Sequence, residues 1–146
     1  MYNNITECGI LLINYKFDAI LVIFQNESLK WGLPKGHMEN EELIRKDYFS
    51  CAKRELLEET GIMITTHKYR KIGTFVLKNK LFYVIQMLRN LNLHKPMNNY
   101  EIGDIKWLLI TQINNFTKTY NCNITLKELK NYLTNIYESH HKISSE

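Results

Sequence analysis

The segment RELLEETG, residues 54–61, contains carboxylates spaced for one face of a helix. Glu55, Glu58 and Glu59 stand at positions i, i+3 and i+4, and residues at these spacings are neighbours on an α-helix. Like charges this close repel, and each raises the pKa of the others unless a cation joins them. Mg²⁺ or Mn²⁺, bound through oxygen, would satisfy such a cluster. The spacing therefore predicts a helical face that binds a divalent metal.

Neighbouring residues favour this prediction over the alternative of an acidic helix face exposed to solvent. Arg54 can pair with Glu58 one turn along the helix, or with Glu42 across the preceding loop. Gly61 follows the helix, and glycine adopts at little cost the left-handed conformation that ends many helices. The other side of the helix is suited to packing on a sheet, through Cys51, Ala52 and Leu56.

Strands, loops and a second helix must place this helix against a core. β-Rich runs predict strands at residues 8–15, 19–25, 69–77, 81–88 and 102–110. Glycine and proline predict loops at residues 28–36 and 94–99. Helical patterns occur at residues 41–60 and 126–140, followed by a frayed tail at 143–146. This order predicts an α+β fold, an α/β/α sandwich with a mixed β-sheet between helices.

Length, composition and net charge limit the kinds of protein that this chain can be. The 146 residues are expected to form a single domain, residues 1–146. No apolar run is long enough to cross a bilayer, and residues 2–4 lack the layout of a signal peptide. Cys8, Cys51 and Cys122 form no CxxC pair, which argues against disulfides and structural zinc. We therefore expect no membrane partner and a cytoplasmic location. The net charge of +4 favours polyanions such as nucleotides or RNA.

Residues 36–62 resemble the Nudix box, whose pattern is G-x5-E-x7-R-E-U-x-E-E-x-G-U with U an aliphatic residue. Gly36 and Glu42 match the first part of the pattern. The second part is matched in full, by Arg54, Glu55, Leu56, Glu58, Glu59, Gly61 and Ile62. The resemblance implies a Nudix fold over the chain and a magnesium-dependent hydrolase that cuts a phosphoanhydride bond.

The spacing of the box departs from the family. Eleven residues separate Glu42 from Arg54, where the pattern has seven. Four extra residues are close to one helical turn, so the helix starts near Asn40 or the loop bulges before an N-cap at Asp47. Either arrangement leaves the carboxylates of the helix together within metal-binding reach. It also leaves open whether Glu42 keeps its place or Glu39, Glu41 or Asp47 replaces it.

The resemblance assigns roles to individual residues. Glu55, Glu58 and Glu59, with Gly36, would hold Mg²⁺ or Mn²⁺ against a diphosphate, and Glu55 and Glu58 count as catalytic. Arg54, Glu42 and Gly61 would be structural. Family members often place the general base in a later loop, and Glu101 is the candidate because it immediately precedes a predicted strand. The alternative is that Glu101 is a surface carboxylate.

Three residues near the box could contact the substrate. Lys35 could meet phosphate as a point charge. His37 could do the same, although an exposed histidine with no role is an equal alternative. Trp31 could stack on a base, although a packing tryptophan is the commoner outcome.

The substrate is less sharply indicated. The combination WGLPKG, CAKRELLEETGI and EIGDIKW resembles messenger RNA decapping members of the family, and LPKGH resembles dinucleoside tetraphosphate hydrolases. We rank a capped RNA or a dinucleoside polyphosphate above modified nucleoside triphosphates.

An inactive, nucleotide-binding domain is the alternative from another class, and the resemblance also leaves a homodimer possible. An RNA chain could follow the lysines around the second strand pair, Lys68, Lys71, Lys78 and Lys80.

Overall fold

The computed structural model describes residues 4–95 and 100–145, with the side chains of 143–145 left aside. Its strands are β1 (Glu7–Ile13), β2 (Ala19–Gln25), β3 (Lys30–Gly32), β4 (Lys35–His37), β5 (Tyr69–Leu77), β6 (Lys80–Met87) and β7 (Ile102–Leu109). Its α-helices are α1 (Asn40–Arg45), α2 (Tyr48–Thr60), α3 (Ile113–Thr119) and α4 (Ile124–Ser145).

All the strands belong to one mixed sheet. β1 runs parallel to β6 along its whole length, from Glu7 beside Lys80 to Ile13 beside Gln86. The other pairings are antiparallel, including β5 with β6 and β2 with β7. Every residue of β1 is buried, as expected of a strand covered on both faces. The predicted mixed sheet is confirmed.

β1 and β2 diverge, and the opening between them is where the site forms. They pair at one end only, through Ile13 and Ile20. The start of β1 pairs instead with β4, and the end of β2 pairs with β3. Pro34 joins β3 to β4, and its carbonyl accepts a hydrogen bond of 3.1 Å from the amide of Ile10. The chain between the two short strands is thereby fixed across the opening.

Helices cover both faces of the sheet. On one face α2 buries Cys51, Ala52 and Leu56 against alternate residues of β1, and full burial of a leucine stabilises the fold by about 1.5–3 kcal/mol. On the other face α3 and α4 pack on the intervening residues of the same strands, through Phe116, Leu126, Leu129 and Leu133. This arrangement is the predicted α/β/α sandwich.

Several predicted boundaries are wrong. Residues 28–36 are not all loop, because three-residue strands form on each side of Pro34, which itself lies outside both strands. The predicted helix at 41–60 is two helices, and α3 was not predicted at all. Residues 143–145 continue α4 instead of fraying. Of the predicted loop at 94–99, residues 96–99 lie outside the described residues, as does residue 146 of the predicted tail.

Two further findings concern the expectations from composition. Cys8, Cys51 and Cys122 are free and buried. In the part of the chain that the structure describes, the helices are too short or too polar to cross a membrane.

Candidate active site

Helix α2 has defined ends that fix its carboxylates in place. The side chain of Asp47 caps its first turn by accepting a hydrogen bond of 3.3 Å from the amide of Ser50. At the other end Gly61 has a φ of 76°, and its amide donates to the carbonyl of Leu57. A positive φ costs glycine little. Gly61 therefore has the structural role that the box pattern implies.

A separate short helix and a turn take up the longer interval between Glu42 and Arg54. The chain enters α1 at a capping box in which Glu42 accepts a hydrogen bond of 2.8 Å from the amide of Glu39. Lys46 then takes a left-handed conformation, with a φ of 53°. It ends α1 and turns the chain into α2 at Asp47. Both predicted solutions occur together, an early helix near Asn40 and an N-cap at Asp47.

Arg54 connects the two parts of the box in spite of the insertion. Its Nη2 and Nε lie 2.9 Å and 3.1 Å from the two carboxylate oxygens of Glu42. Its Nη1 lies 2.9 Å from Glu55 Oε1 and 3.2 Å from Glu58 Oε1. Bidentate pairing of this kind is directional as well as strong. Glu42 therefore keeps its place, and Arg54 pairs with both partners that the sequence suggested.

Glu55 and Glu59 reach from α2 to β4, the strand that contains Gly36. A β-carbon on residue 36 would lie 2.1 Å from Cδ of Glu55, so only glycine fits here without a shift. Oε1 of Glu59 accepts a hydrogen bond of 2.9 Å from the amide of Lys35. Glu59 is 6% exposed, whereas the side chain of Glu58 is 54% exposed.

The electrostatics of the carboxylates follow from these contacts. Burial, helped by the nearby charges of Glu55 and Glu101, raises the pKa of Glu59 to about 8, although the hydrogen bond from the amide of Lys35 opposes this rise. Burial also raises the pKa of Glu55, although Arg54 opposes this effect. The hydrogen bond from Arg54 lowers the pKa of Glu42. Arg54 thus favours the ionised form of Glu42, whereas burial favours the protonated form of Glu59.

Lys35 has a different environment from the one expected. Its Nζ donates a hydrogen bond of 3.0 Å to Oε1 of Glu7, on the first residue of β1. Nζ of Lys80 lies 3.8 Å from the other oxygen of Glu7. Burial opposes ionisation of Glu7, but the hydrogen bond and charge of Lys35 and the charge of Lys80 outweigh it and lower the pKa of this carboxyl. Both ammonium groups are therefore engaged with Glu7.

Glu101 lies in the same cleft as Glu59. This cleft has a volume of about 480 Å³ and is lined by Gln25, Glu27, Ser28, Glu59, Glu101 and Ile102. The pairing of Gln25 with Ile102 between β2 and β7 places Glu101 at this end of the sheet. Its charge acts on both Glu55 and Glu59. The geometry is compatible with a general base at Glu101.

The other two substrate-contact candidates differ in placement. His37 is exposed at the end of β4, and its carbonyl accepts a hydrogen bond of 3.0 Å from Arg54. Trp31 is 9% exposed and packs in the core on the α4 side of the sheet. Its ring lies 5.3 Å from Phe24 and 5.7 Å from Phe116, centroid to centroid. Trp31 is a packing residue, so the idea that it stacks on a base is not supported by its position.

The side chains expected to bind a metal offer suitable oxygen atoms, but these atoms are not gathered around one point. Within residues 4–95 and 100–145, no three carboxylate, imidazole or thiol groups are grouped closely enough to hold one ion. Arg54 binds Glu55 and Glu58, while the amide of Lys35 holds Glu59. The three carboxylates thus do not converge as expected. Their oxygen donors nevertheless fit a hard divalent cation, and such a cation would offset the cost of ionising the buried Glu59.

Some residues of the site were missed from the sequence. Gln25, Glu27 and Ser28 line the cleft because β2 pairs with β7, and this pairing was not predicted. Glu7 was also missed, although an acidic residue that opens a fully apolar strand is a signal for a buried ion pair.

Comparisons with known proteins agree with the fold and the box. The family model of the NUDIX domain matches residues 5–127. The structure is similar to that of MutT, from work on Aliivibrio salmonicida and Vibrio cholerae, with 18% identity and a TM-score of 0.61 over 88% of this chain and 95% of that one. It is also similar to an Ap4A hydrolase from C. elegans, with 14% identity and a TM-score of 0.62 over 92% and 98% of the two chains.

A third similar structure is DR0079 from Deinococcus radiodurans, with 15% identity and a TM-score of 0.65 over 88% of this chain and 81% of that one. Likenesses at these identities concern the fold alone. The comparison with curated protein sequences gives no match. The family match, in contrast, spans most of the sequence and includes the whole box. The chain therefore belongs to the Nudix family of hydrolases.

Proposed function

We propose that this protein hydrolyses a phosphoanhydride bond of a nucleoside diphosphate-linked substrate, and that it requires Mg²⁺ or Mn²⁺. One observation carries the proposal: Glu59 of α2 and Glu101 line one cleft, and the carboxyl group of Glu55 lies nearby against Gly36, so three carboxyl groups share this region. A diphosphate adds further negative charge, so it binds favourably only together with a cation. The cluster therefore suits a metal-bound polyphosphate better than a neutral ligand.

Each residue has a distinct task in the proposed reaction. Glu55, Glu58 and Glu59 would hold the metal, together with the carbonyl of Gly36. When bound, the metal would neutralise the diphosphate and lower the pKa of a water molecule. Glu101 would take the proton of the attacking water, since it lines the same cleft as Glu59. Arg54 would orient Glu55 and Glu58, which it contacts directly.

The substrate is proposed to be a capped RNA or a dinucleoside polyphosphate. The sequence elements around Pro34, Lys35 and Gly36 support this ranking over modified nucleoside triphosphates, as does the basic net charge. Because the ammonium group of Lys35 binds Glu7, we assign it the role of holding β4 against β1 and not a role in binding the phosphates. His37, which is exposed beside Arg54, remains the candidate for a phosphate contact.

A binding domain without catalysis is the second candidate. It is favoured by the position of Arg54, which engages two of the box carboxylates. In a catalytic site Glu55 and Glu58 must bind the metal in addition to Arg54, whereas a binding domain needs only their contacts with Arg54.

Turnover on a substrate panel distinguishes the two candidates. The panel contains capped RNA, diadenosine tetraphosphate, ADP-ribose and an oxidised nucleoside triphosphate, each assayed with Mg²⁺, with Mn²⁺ and with EDTA. We expect metal-dependent hydrolysis of the capped RNA or the tetraphosphate. Binding of these compounds without any turnover would identify a nucleotide-binding domain, and turnover of the oxidised triphosphate alone would overturn the substrate ranking.

A further inference from the structure

Basic residues are unevenly distributed along the chain. Residues 61–100 contain no Asp or Glu, yet they contain Lys68, Arg70, Lys71, Lys78, Lys80, Arg89 and Lys95. The whole chain has a net charge of only +4, so the remainder is acidic overall. A long segment of one sign points to a polyanionic partner when the segment forms one surface.

The structure places much of this segment on one exposed hairpin. β5 and β6 pair through Lys71 beside Ile85 and Thr74 beside Tyr83, and β5 is the last strand at its edge of the sheet. Most residues of β5 are exposed. Ile85 belongs to the core beneath α2, so Lys71 and Thr74 lie on the side of the sheet that α2 covers.

Aromatic rings hold two lysines together where the hairpin meets α2. The rings of Phe49 and Tyr83 lie 4.8 Å apart. Nζ of Lys71 lies 3.6 Å from the centroid of Phe49 and 5.4 Å from that of Tyr83. Nζ of Lys53, one turn after Phe49 on α2, lies 4.8 Å from the same ring. These cation–π contacts hold two ammonium groups at the same aromatic ring.

The other end of the hairpin contacts the candidate active site. Lys80 lies beside Glu7, which binds Lys35, and the amide of Lys35 binds Glu59. From Lys71 to its end at Leu77, β5 covers roughly 20 Å at about 3.3 Å per residue. A ligand that follows β5 from the lysine pair would therefore arrive near β4, which contains Gly36.

We propose that Phe49, Lys53, Lys71, Thr74, Lys78 and Tyr83, the hairpin surface, bind single-stranded nucleic acid. A single strand is flexible enough to lay its phosphates along lysines that aromatic rings hold in place, and each phosphate contact releases counterions. The inference deepens the proposed function, on which it rests: the nucleic acid is the chain attached to the bond that is cut. Lys80 is left out, because it is paired with Glu7.

Binding is tested with a fluorescently labelled single-stranded oligouridine, measured by anisotropy in EDTA over a series of salt concentrations. The variant carries Lys53→Ala and Lys71→Ala. We expect its affinity to fall about tenfold and its salt slope to decrease by about 1.4, or 0.7 for each lost phosphate contact. A second variant with Lys53→Arg and Lys71→Arg keeps both charges and should retain binding. The charge-matched control carries Lys118→Ala and Lys127→Ala, two exposed lysines on α3 and α4, and should bind like the wild type.

Three results would overturn the inference. The first is that Lys53→Ala with Lys71→Ala leaves the RNA affinity unchanged, and the second is that the control variant loses as much affinity. The third is that polyglutamate competes as strongly as RNA, which would identify a binding site for acidic polypeptides. Because binding is measured without turnover, its outcome is independent of hydrolysis. A wild type that hydrolyses small substrates but binds no RNA disproves the hairpin surface alone. RNA binding that depends on Lys53 and Lys71 in a protein without hydrolase activity disproves only the catalytic proposal.

Discussion

The carboxyl group of Glu55 occupies the space that a β-carbon on residue 36 would need, with Cδ 2.1 Å from that position. Gly36→Ala must therefore displace either the side chain of Glu55 or the backbone of β4. We expect kcat to fall on the order of 100-fold, because misplacing a group by about 1 Å can cost this much. Steady-state hydrolysis of the best substrate measures the effect.

Gly73→Ala is the matched control for this substitution. A β-carbon on Gly73, in β5, would meet no heavy atom within 4 Å. Activity should stay at the wild-type level. If Gly36→Ala and Gly73→Ala lost the same amount of activity, the loss would come from replacing a glycine in the sheet and not from the contact with Glu55.

Glu101→Gln tests the general base. We expect kcat to fall by roughly 10²–10⁴ with little change in KM, because proton transfer contributes to the rate and little to ground-state binding. Glu27→Gln removes a carboxylate from the same cleft and should have a much smaller effect. A Glu101→Gln variant that keeps its turnover would make Glu101 a surface carboxylate, as the sequence alone also allowed.

Glu7→Gln tests the ion pairs that hold the loop before the box. The pKa of Glu7 is lowered in the folded protein from an ordinary value of 4.5. Its charge therefore stabilises the fold above pH 4.5, and this contribution is lost as the pH falls through the lowered pKa. We expect Glu7→Gln to reduce the free energy of unfolding by about 1–3 kcal/mol at pH 7 and the difference to shrink below pH 4.5. Urea unfolding across this range measures it.

A difference between the two proteins that is independent of pH would contradict this account of Glu7. Glu128→Gln, on the exposed side of α4, controls for the loss of one negative charge. This control should change stability little at any pH in the range.

Local patterns predicted the box helix and most of the strands, because both depend on residues close together in the sequence. The spacing of Glu55, Glu58 and Glu59 placed them on one helix, and Gly61 marked its end correctly. The cleft around Glu101 depends on the pairing of β2 with β7, residues far apart in the chain, which no local pattern specifies. The ion pair of Lys35 was missed for the same reason, because its partner Glu7 is distant in sequence, whereas the packing position of Trp31 agrees with the commoner outcome stated for it.

The central claim is that the carboxylates of α2 support metal-dependent hydrolysis, and Glu58→Gln tests it most directly. The side chain of Glu58 is 54% exposed, so its replacement should change stability by no more than about 0.5 kcal/mol. With saturating Mg²⁺ we measure kcat on the substrate that the wild type hydrolyses fastest, with EDTA as the blank. The account predicts that the wild type loses all activity in EDTA and that the variant loses roughly 10²–10³-fold in Mg²⁺. Wild-type turnover by Glu58→Gln, or hydrolysis that persists in EDTA, would contradict it.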